Sequence, residues 1–289
     1  MLTSRRAALG PSPKGGGNFA SIWPRLRKLR GNRMSGRIFD INLDMGEGYG
    51  NWRTCDDAAV MPLISTANIA CGYHAGDPSI MRTTIELARQ SNVSIGAHPG
   101  LPDLLGFGRR VIDVTPNDLY AYIVYQVGAL QGFMTAAGLS LTHVKPHGAM
   151  FYVLRDPVLA DAALDAVAAV APGTSIYLAG PTGRELFATR AIARGIRICP
   201  EAYPDLEYTD DGSVIVQRHK KPVEPDLVYA RVKEIITKKT LTTRTGKVLP
   251  MDVNNVCLHS DGPNVLEVID AARRAIADCE MTLGSIAQH

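Results

Sequence analysis

Residues 66–90, TANIACGYHAGDPSIMRTTIELARQ, join a strand pattern to a helical pattern. The first part, residues 66–74, is a short apolar run that predicts a buried strand. The second part, residues 78–90, repeats apolar residues at helical spacing. Between them Asp77 precedes Pro78, as a capping residue does when proline occupies the first helical position. The stretch therefore predicts one strand followed by one helix.

The same unit recurs along the chain. Seven strands are predicted, at residues 38–45, 66–74, 93–100, 141–148, 175–180, 196–203 and 255–262. Helices are predicted at residues 78–90, 116–138, 157–170, 182–195, 225–239 and 263–279. Strands and helices that alternate in this way indicate an α/β fold with a parallel sheet. Because no GxGxxG motif follows the first strand, we predict a seven-stranded β/α (TIM-like) barrel rather than an open dinucleotide-binding sheet.

Two segments lie outside this repeating pattern. Residues 204–224 predict a hairpin inserted before the next helix, with Asp211-Gly212 at its turn. Residues 1–35 predict a basic leader that precedes a single barrel domain at residues 36–289. Residues 1–39 contain nine Lys or Arg and no Asp or Glu. This composition is typical of a mitochondrial transit peptide, and the alternative is a disordered extension ahead of an internal start at Met34.

Composition excludes several classes of function. Residues 40–289 carry 22 basic and 28 acidic residues, and an acidic body is unfavourable for nucleic-acid binding. No uninterrupted apolar run is long enough to cross a bilayer. The five cysteines form no close pairs, which fits free thiols in a reducing compartment. We expect a cytoplasmic protein, with the mitochondrial matrix as the alternative that the leader allows.

Polar side chains gather at the carboxyl ends of six predicted strands. They are Asn42, Asp44, Glu47, Asn68, His74, Asp77, His98, Asp103, Lys145, His147, Glu201, Asp205, His259 and Asp261. In parallel barrels this rim carries the active site, because its loops converge on one mouth. Independent structural needs would not place four histidines at strand ends on one rim. The pattern therefore predicts an active site.

The chemistry of the set suits hydrolysis at a carbonyl group. Carboxylates can take a proton from water, Lys145 can stabilise an oxyanion and imidazoles can shuttle protons. Alternatively, a divalent metal bound by Asp44, His74 and His98 can lower the pKa of water. The predicted catalytic residues are Asp44, Glu47, His74, His98, Lys145 and His147. The predicted substrate-binding residues are Asn42, Asn68, Asp77, Arg109, Arg110, Glu201, Asp205, His259 and Asp261, with the arginines pairing with a substrate carboxylate.

Several of these residues also have a structural interpretation. Asp77 can simply cap the helix that begins at Pro78, and His74 can be a hydrogen-bonded histidine at a strand end. Cys71 lies three residues before His74, yet a lone C-x-x-H is weak evidence for zinc. No GxxxxGK[ST] motif occurs, so a nucleotide used by this protein is not bound through a P-loop.

Five motifs together resemble the LamB/YcsF family, in order and over nearly all of residues 38–275. They are DINLDMGEG (40–48), ANIACGYHAGD (67–77), IGAHPGLPD with GFGRR (95–110), VKPHGAMFY (144–152) and VCLHSDG (256–262). The resemblance implies a barrel of the glycoside hydrolase and polysaccharide deacetylase type. It also implies the A subunit of ATP-dependent 5-oxoprolinase, which opens 5-oxo-L-proline to L-glutamate with partner B and C subunits or a fused equivalent.

One motif departs from the family pattern. Many members have an arginine after the aspartate that corresponds to Asp205, whereas this chain has Leu206, which leaves substrate choice and assembly open. Two other functions also stay open. One is metal-dependent deacetylation or hydrolysis of another small amide or lactam, and the other is a non-catalytic subunit that presents the lactam to its partners. In the leading hypothesis, ATP acts through the partner subunits.

Overall fold

A computed structural model describes residues 38–179, 184–215 and 220–287. The predicted leader at residues 1–35 lies outside these ranges. So do residue 180 of the predicted fifth strand, the first residues of the helical pattern at 182–195 and residues 216–219 of the predicted hairpin. Within the described ranges, no helix combines the length and apolar character needed to cross a bilayer.

The strands are short, and seven of them form one parallel barrel. In chain order they are β1 (Ile38–Met45), β2 (Thr66–Ala70), β3 (Ser94–His98), β4 (His143–Val144), β5 (Ser175–Ala179), β6 (Arg197–Glu201), β7 (Glu207–Tyr208), β8 (Val214–Ile215), β9 (Thr240–Thr242), β10 (Val248–Pro250), β11 (Asn255–Leu258) and β12 (Thr282–Leu283). Neighbours follow the order β11-β1-β2-β3-β4-β5-β6. A parallel bridge between Ala202, just after β6, and Val256 of β11 joins the two ends. The predicted seven-stranded β/α barrel is confirmed.

Alternate side chains of β1 face the barrel interior and the surrounding hydrophobic core. Its residues alternate because successive side chains of a strand point to opposite faces. Asp40, Asn42 and Asp44 make hydrogen bonds across the interior to residues in or just after β5, β6 and β4, respectively. The apolar residues between them, such as Ile41 and Leu43, are fully buried in the hydrophobic core. The barrel is therefore polar inside and apolar outside, where the helices pack.

The helices are α1 (Asp57–Val60), α2 (Pro78–Gln90), α3 (Pro116–Ala136), α4 (Met150–Val153), α5 (Pro157–Val170), α6 (Arg184–Ala193), α7 (Pro225–Lys238) and α8 (Val265–Asp278). Four begin at the predicted prolines. At three of those four starts the residue before the proline caps the helix: the side chains of Asp77, Thr115 and Asp156 accept hydrogen bonds from backbone N–H groups of the first turn. These caps provide acceptors for backbone amide groups that have no partner within the helix. This explains why the Asp-Pro and Thr-Pro dipeptides predicted the helix starts well.

Three short additions complete the fold. The antiparallel pair β7 and β8 is the predicted hairpin. A second antiparallel pair, β9 and β10, was not predicted, because its strands are too short to show a pattern. Strand β12 pairs with Ile38 and Phe39 at the beginning of β1. The segment after β12 reaches the end of the barrel that is formed by the amino ends of its strands. There the Ile286 N–H donates to Asp40 Oδ2 at 3.3 Å.

Candidate active site

The barrel mouth brings together all but two of the predicted site residues. Those that meet there are Asn42, Asp44, Glu47, Asn68, His74, His98, Arg109, Lys145, His147, Glu201, Asp205, His259 and Asp261. The parallel strands all end on this side, so one short segment after each strand is enough to deliver its side chains.

The other two residues, Asp77 and Arg110, contact groups that are not among the predicted site residues. Asp77 Oδ1 accepts the N–H groups of Ser79 and Ile80, so this carboxylate caps α2. Arg110 is two-thirds exposed and pairs with Asp103, which also accepts the Gly106 N–H. The prediction that Asp77 and Arg110 bind substrate therefore finds no support in their positions.

Asp44 lies at the centre of the mouth with its two oxygens in different environments. Its Oδ1 accepts hydrogen bonds from Asn68 Nδ2 and Lys145 Nζ, both at 2.8 Å. Its Oδ2 lies 3.3 Å from His98 Nε2. Burial opposes the negative charge, but His98 and Lys145 outweigh burial and hold the pKa of Asp44 well below its usual value. Asp44 is thus a carboxylate at neutral pH.

Lys145 is a buried ammonium surrounded by acceptors. Besides Asp44, its Nζ lies 2.9 Å from Cys257 Sγ and 3.6 Å from Glu201 Oε1. Burial alone would lower the pKa of Lys145, but Asp44, Cys257 and Glu201 together raise it well above the usual value. Asp44, Cys257 and His259 have the spacing of a metal site. Because the Lys145 ammonium already contacts two of those three groups, it supplies the positive charge there.

Three imidazoles and one carboxyl group form a second cluster in the mouth. Potential ligand atoms of Glu47, His74, His98 and His147 all lie within 4.8 Å of one another. The rings of His74 and His147 are stacked at 3.7 Å. Gly108, with φ of +63°, lies against both rings, and a Cβ there would lie 2.6 Å from His74 Cβ. Only glycine leaves space for the two rings in that backbone conformation.

Hydrogen bonds to carbonyl groups fix how two of these rings are protonated. His98 Nδ1 lies 2.7 Å from the Lys145 carbonyl oxygen, and His147 Nε2 lies 2.8 Å from that of Phe107. Each of these nitrogens must donate, since a carbonyl oxygen only accepts. The remaining nitrogens, His98 Nε2 and His147 Nδ1, face each other at 2.9 Å. If both rings were neutral, the lone pairs of these two nitrogens would point at each other, so this position requires a shared proton or a cation.

Glu47 and His74 complete that cluster. Burial, followed by the charge of Asp44, raises the pKa of Glu47 to about 8. Burial and His98 hold the pKa of His74 well below its usual value, so the ring is neutral. His74 Nε2 lies 3.2 Å from Glu47 Oε1, whereas its Nδ1 is buried with no hydrogen-bond partner among the described residues. Imidazole nitrogens and ionised carboxyl groups are the donors that divalent transition metals prefer, and metal binding releases protons from such groups.

His259 and Asp205 form a separate pair at the edge of the mouth. His259 Nδ1 lies 3.0 and 3.1 Å from the two oxygens of Asp205, and the His259 backbone N–H donates to Asp205 Oδ2. The loop that carries Asp205 is held by Arg231 of α7, which donates to the carbonyl groups of Pro204 and Leu206. This arrangement fixes the imidazole ring and leaves Nε2 as the nitrogen available to other groups.

Sequence reasoning missed a layer of residues beneath the mouth. His143 Nε2 lies 2.6 Å from Asn68 Oδ1, and the same Asn68 donates to Asp44. Burial, followed by Lys145, lowers the pKa of His143 to about 3, so the neutral ring donates to the amide oxygen. His143 lies two residues before Lys145, and the inward alternation of side chains along β4 was the available signal. A second missed residue is Lys220, which joins Asp261.

A small cavity opens beside the imidazole cluster. Its volume is about 110 Å³, and it is lined by Glu47, Gly48, Tyr49, Trp52, Thr54, His74, Ala75, Leu104 and Phe107. A larger groove of about 480 Å³ lies between α2 and α3, and none of its lining residues belongs to the mouth. The cavity at the mouth is the one that fits the chemistry, and its size suits a small molecule.

The sequence profile of the LamB/YcsF family matches residues 39–289. This chain belongs to the LamB/YcsF family. The chain is 42% identical over 240 residues to the 5-oxoprolinase A subunit of Tolumonas auensis, covering 82% of this chain and 94% of that protein. It is 39% identical over 249 residues to the lactam utilization protein lamB of Emericella nidulans, covering 84% and 96%.

Among solved structures, the fold is similar to a lactam utilization protein from Thermus thermophilus. The TM-score is 0.78 at 34% sequence identity, covering 86% of this chain and 99% of that chain. The predicted family and the predicted barrel are thus both confirmed.

Proposed function

We propose that this chain is the hydrolytic subunit of an ATP-dependent 5-oxoprolinase, which opens 5-oxo-L-proline to L-glutamate. Relatives named as the A subunit of 5-oxoprolinase, at about 40% identity, support the substrate and the existence of partner subunits. The observation in the site that carries the proposal is Asp44, a buried carboxylate with one oxygen fixed by Lys145 and Asn68 and the other directed toward an imidazole.

The proposal divides the reaction between subunits. Opening an unstrained five-membered lactam is unfavourable near neutral pH, so the reaction needs to be coupled to ATP hydrolysis. This chain has no P-loop motif with which to bind the ATP. We assign phosphorylation of the lactam carbonyl oxygen to the B and C type partners. This chain then adds water to the activated carbonyl carbon, and the ring C–N bond breaks as its nitrogen takes up a proton, which leaves the acyl phosphate of glutamate. A second water breaks that acyl phosphate into L-glutamate and inorganic phosphate.

Three groups of the mouth have roles in the hydrolysis. Asp44 takes the proton from the attacking water, and Lys145 keeps that carboxylate ionised and in place. His259, held by Asp205, delivers a proton to the lactam nitrogen as the C–N bond breaks. Each role uses a contact described above, and a rigid barrel rim keeps the groups at fixed separations.

A divalent cation fits the second cluster. Glu47, His74, His98 and His147 would hold it, because the facing nitrogens of His98 and His147 require a positive charge between them. The predicted metal ligands His74 and His98 belong to this set, whereas Asp44 is bound to Lys145. When bound, such an ion lowers the pKa of water and polarises a carbonyl oxygen. Metal analysis of the purified protein, with His98→Ala as the comparison, tests this assignment.

The proposed function is tested by reconstitution. The chain, its partner subunits, ATP and 5-oxoproline are combined, and L-glutamate formation is measured. Asp44→Asn is expected to lower kcat by about 100-fold or more. Asp77→Asn is the matched control, because Asp77 caps a helix outside the mouth. Full-rate, ATP-dependent glutamate formation by this chain alone would reject the division of labour, and full activity of Asp44→Asn would make the chain a non-catalytic subunit.

A second candidate function is metal-dependent hydrolysis of another small amide, such as deacetylation. The imidazole cluster is the observation that favours it, since neutral nitrogen donors suit a catalytic metal. Turnover of an acetylated amine without ATP or partners, abolished by a chelator and restored by metal, would favour this candidate over the lactam.

A further inference from the structure

Two cations and one carboxylate form an ion-pair group at the edge of the mouth. Arg109 Nη2 donates to Asp261 Oδ2 at 2.8 Å, and Lys220 Nζ lies 2.5 Å from Asp261 Oδ1. The Lys220 side chain is 9% exposed, and its Nζ has no well-directed hydrogen bond among the described residues. The Arg109 guanidinium donates one hydrogen bond within the same set of residues. Donor groups on both cations therefore remain available in a largely buried place.

The group carries more positive charge than it neutralises. Burial would raise the pKa of Asp261, but Lys220 and Arg109 outweigh burial and lower it, so Asp261 is ionised. One carboxylate lies between the two cations, and the nearby Asp205, whose pKa Lys220 also lowers, is already paired with His259. Lys145, by contrast, is already shared by Asp44 and Glu201. The group of Arg109, Lys220 and Asp261 is thus the part of the described mouth that best accepts an anion.

The position of Arg109 places this charge next to the proposed reaction centre. Its guanidinium carbon lies 5.0 Å from the centre of the Phe107 ring. Phe107 in turn contacts the His147 ring at 5.4 Å and the His74 ring at 5.8 Å between centroids. A five-membered ring that reaches the imidazole cluster would therefore hold a substituent near Arg109. Arg110, the next residue, points away to Asp103.

We propose that Arg109 and Lys220, oriented by Asp261, bind the carboxylate of the substrate and select lactams that carry one. The inference rests on the proposed function and adds the residues that recognise the carboxylate, Lys220 among them. A guanidinium and a carboxylate form a directional, charge-assisted pair, and a buried cation favours a charged ligand over a neutral one of similar shape. The substrate class is a five-membered lactam with an adjacent carboxylate.

The experiment uses the reconstituted complex with ATP and two substrates, 5-oxo-L-proline and its carboxamide, which lacks the negative charge. The test variant is Arg109→Gln with Lys220→Gln. The matched control is Arg244→Gln with Lys221→Gln, which removes two exposed cations that have no role in the site. Conversion of each substrate is followed as kcat/KM, and urea unfolding checks that both variants fold.

The expected result is a loss of specificity. The test variant should lose about 50-fold or more in kcat/KM for 5-oxoproline, mainly through KM, and change less than about threefold for the carboxamide. The control variant should match the wild type on both. Equal losses on both substrates would assign the cations to the transferred phosphoryl group and overturn the inference. Unchanged kinetics on 5-oxoproline would also overturn it, whereas a wild-type complex inactive on 5-oxoproline would reject the proposed function itself.

If neither the wild type nor the test variant converts the carboxamide, the single variant Arg109→Ala tests carboxylate binding with 5-oxoproline alone. Guanidinium ion at millimolar concentration should then restore activity by lowering KM, because it replaces the missing charge in the space left by the side chain. Lost activity that guanidinium does not restore would contradict carboxylate binding by Arg109.

Discussion

Gly96→Ala should disturb the active site, because the added methyl group clashes with the His143 ring beneath the mouth. Strands β3 and β4 pair with Gly96 opposite His143, and a Cβ on Gly96 would lie 2.1 to 2.3 Å from three atoms of the imidazole. Ordinary contact begins at 3.4 Å, so the ring must retreat by more than 1 Å. It has little room, because Tyr177 is stacked on it at 4.2 Å and Asn68 lies 2.6 Å from Nε2.

The magnitude follows from two effects. Overpacking a tight interior costs about 1–3 kcal/mol, and leaving the Asn68 amide oxygen without its donor costs about another 1–3 kcal/mol. We therefore expect the free energy of unfolding to fall by roughly 2–6 kcal/mol, as measured by urea denaturation. Because Asn68 also donates to Asp44, kcat for glutamate formation should fall in parallel.

Two comparisons make this prediction specific. Gly132→Ala lies in helix α3 with no atom within 4 Å of the added Cβ, and it should stabilise the protein by about 0.5–1 kcal/mol. The double variant with His143→Ala removes the ring that clashes, so its destabilisation should be less than the sum of the two single effects by about 1 kcal/mol or more. A loss below about 1 kcal/mol for Gly96→Ala, or strict additivity, would refute the reasoning.

Three further results are expected. Burial raises the pKa of Asp40 from 3.8 to about 6 in the folded state, so the folded state binds the extra proton and the unfolding free energy should fall by about 3 kcal/mol as pH rises from about 4 to 7. Asp40→Asn should flatten that dependence in urea titrations, and an unchanged slope would contradict the assignment. Lys145→Met should cost about 3–5 kcal/mol, because Asp44 then lacks its buried partner, and a neutral effect on the urea midpoint would argue against this pair. Asp205→Asn should lower kcat by about 100-fold with little change in stability, and its effect should not add to that of His259→Gln if the two act as one unit.

The barrel was predictable because its signals are local and repeated. Each predicted barrel strand overlaps a strand in the structure, and the prolines at Pro78, Pro116, Pro157 and Pro225 marked the helix starts to the residue. The rim followed from the same pattern, since parallel strands send their carboxyl ends to one side. Residues such as Asp44 and His98 could therefore be placed together without knowing any distance.

Other features depend on contacts between distant parts of the chain. Lys220 lies after an inserted hairpin and meets Asp261 only in the folded protein, so no local pattern marks it. His143 and Gly96 are 47 residues apart, and their fit depends on the register of β4 against β3. The choice between a cap and a ligand at Asp77 was likewise undecided in sequence, because both roles use the same carboxylate.

The pairing of β1 with β11 has a consequence for synthesis of the protein. Asn42 and Asn255 are separated by 213 residues, so at 5 to 20 residues per second one side of β1 waits roughly 10 to 40 s for its neighbour. An uncovered strand edge attracts other chains, and charged side chains that point inward discourage such pairing. We therefore expect Asp40 and Asp44 to discourage aggregation of the nascent chain until the last neighbours of β1 have been synthesised.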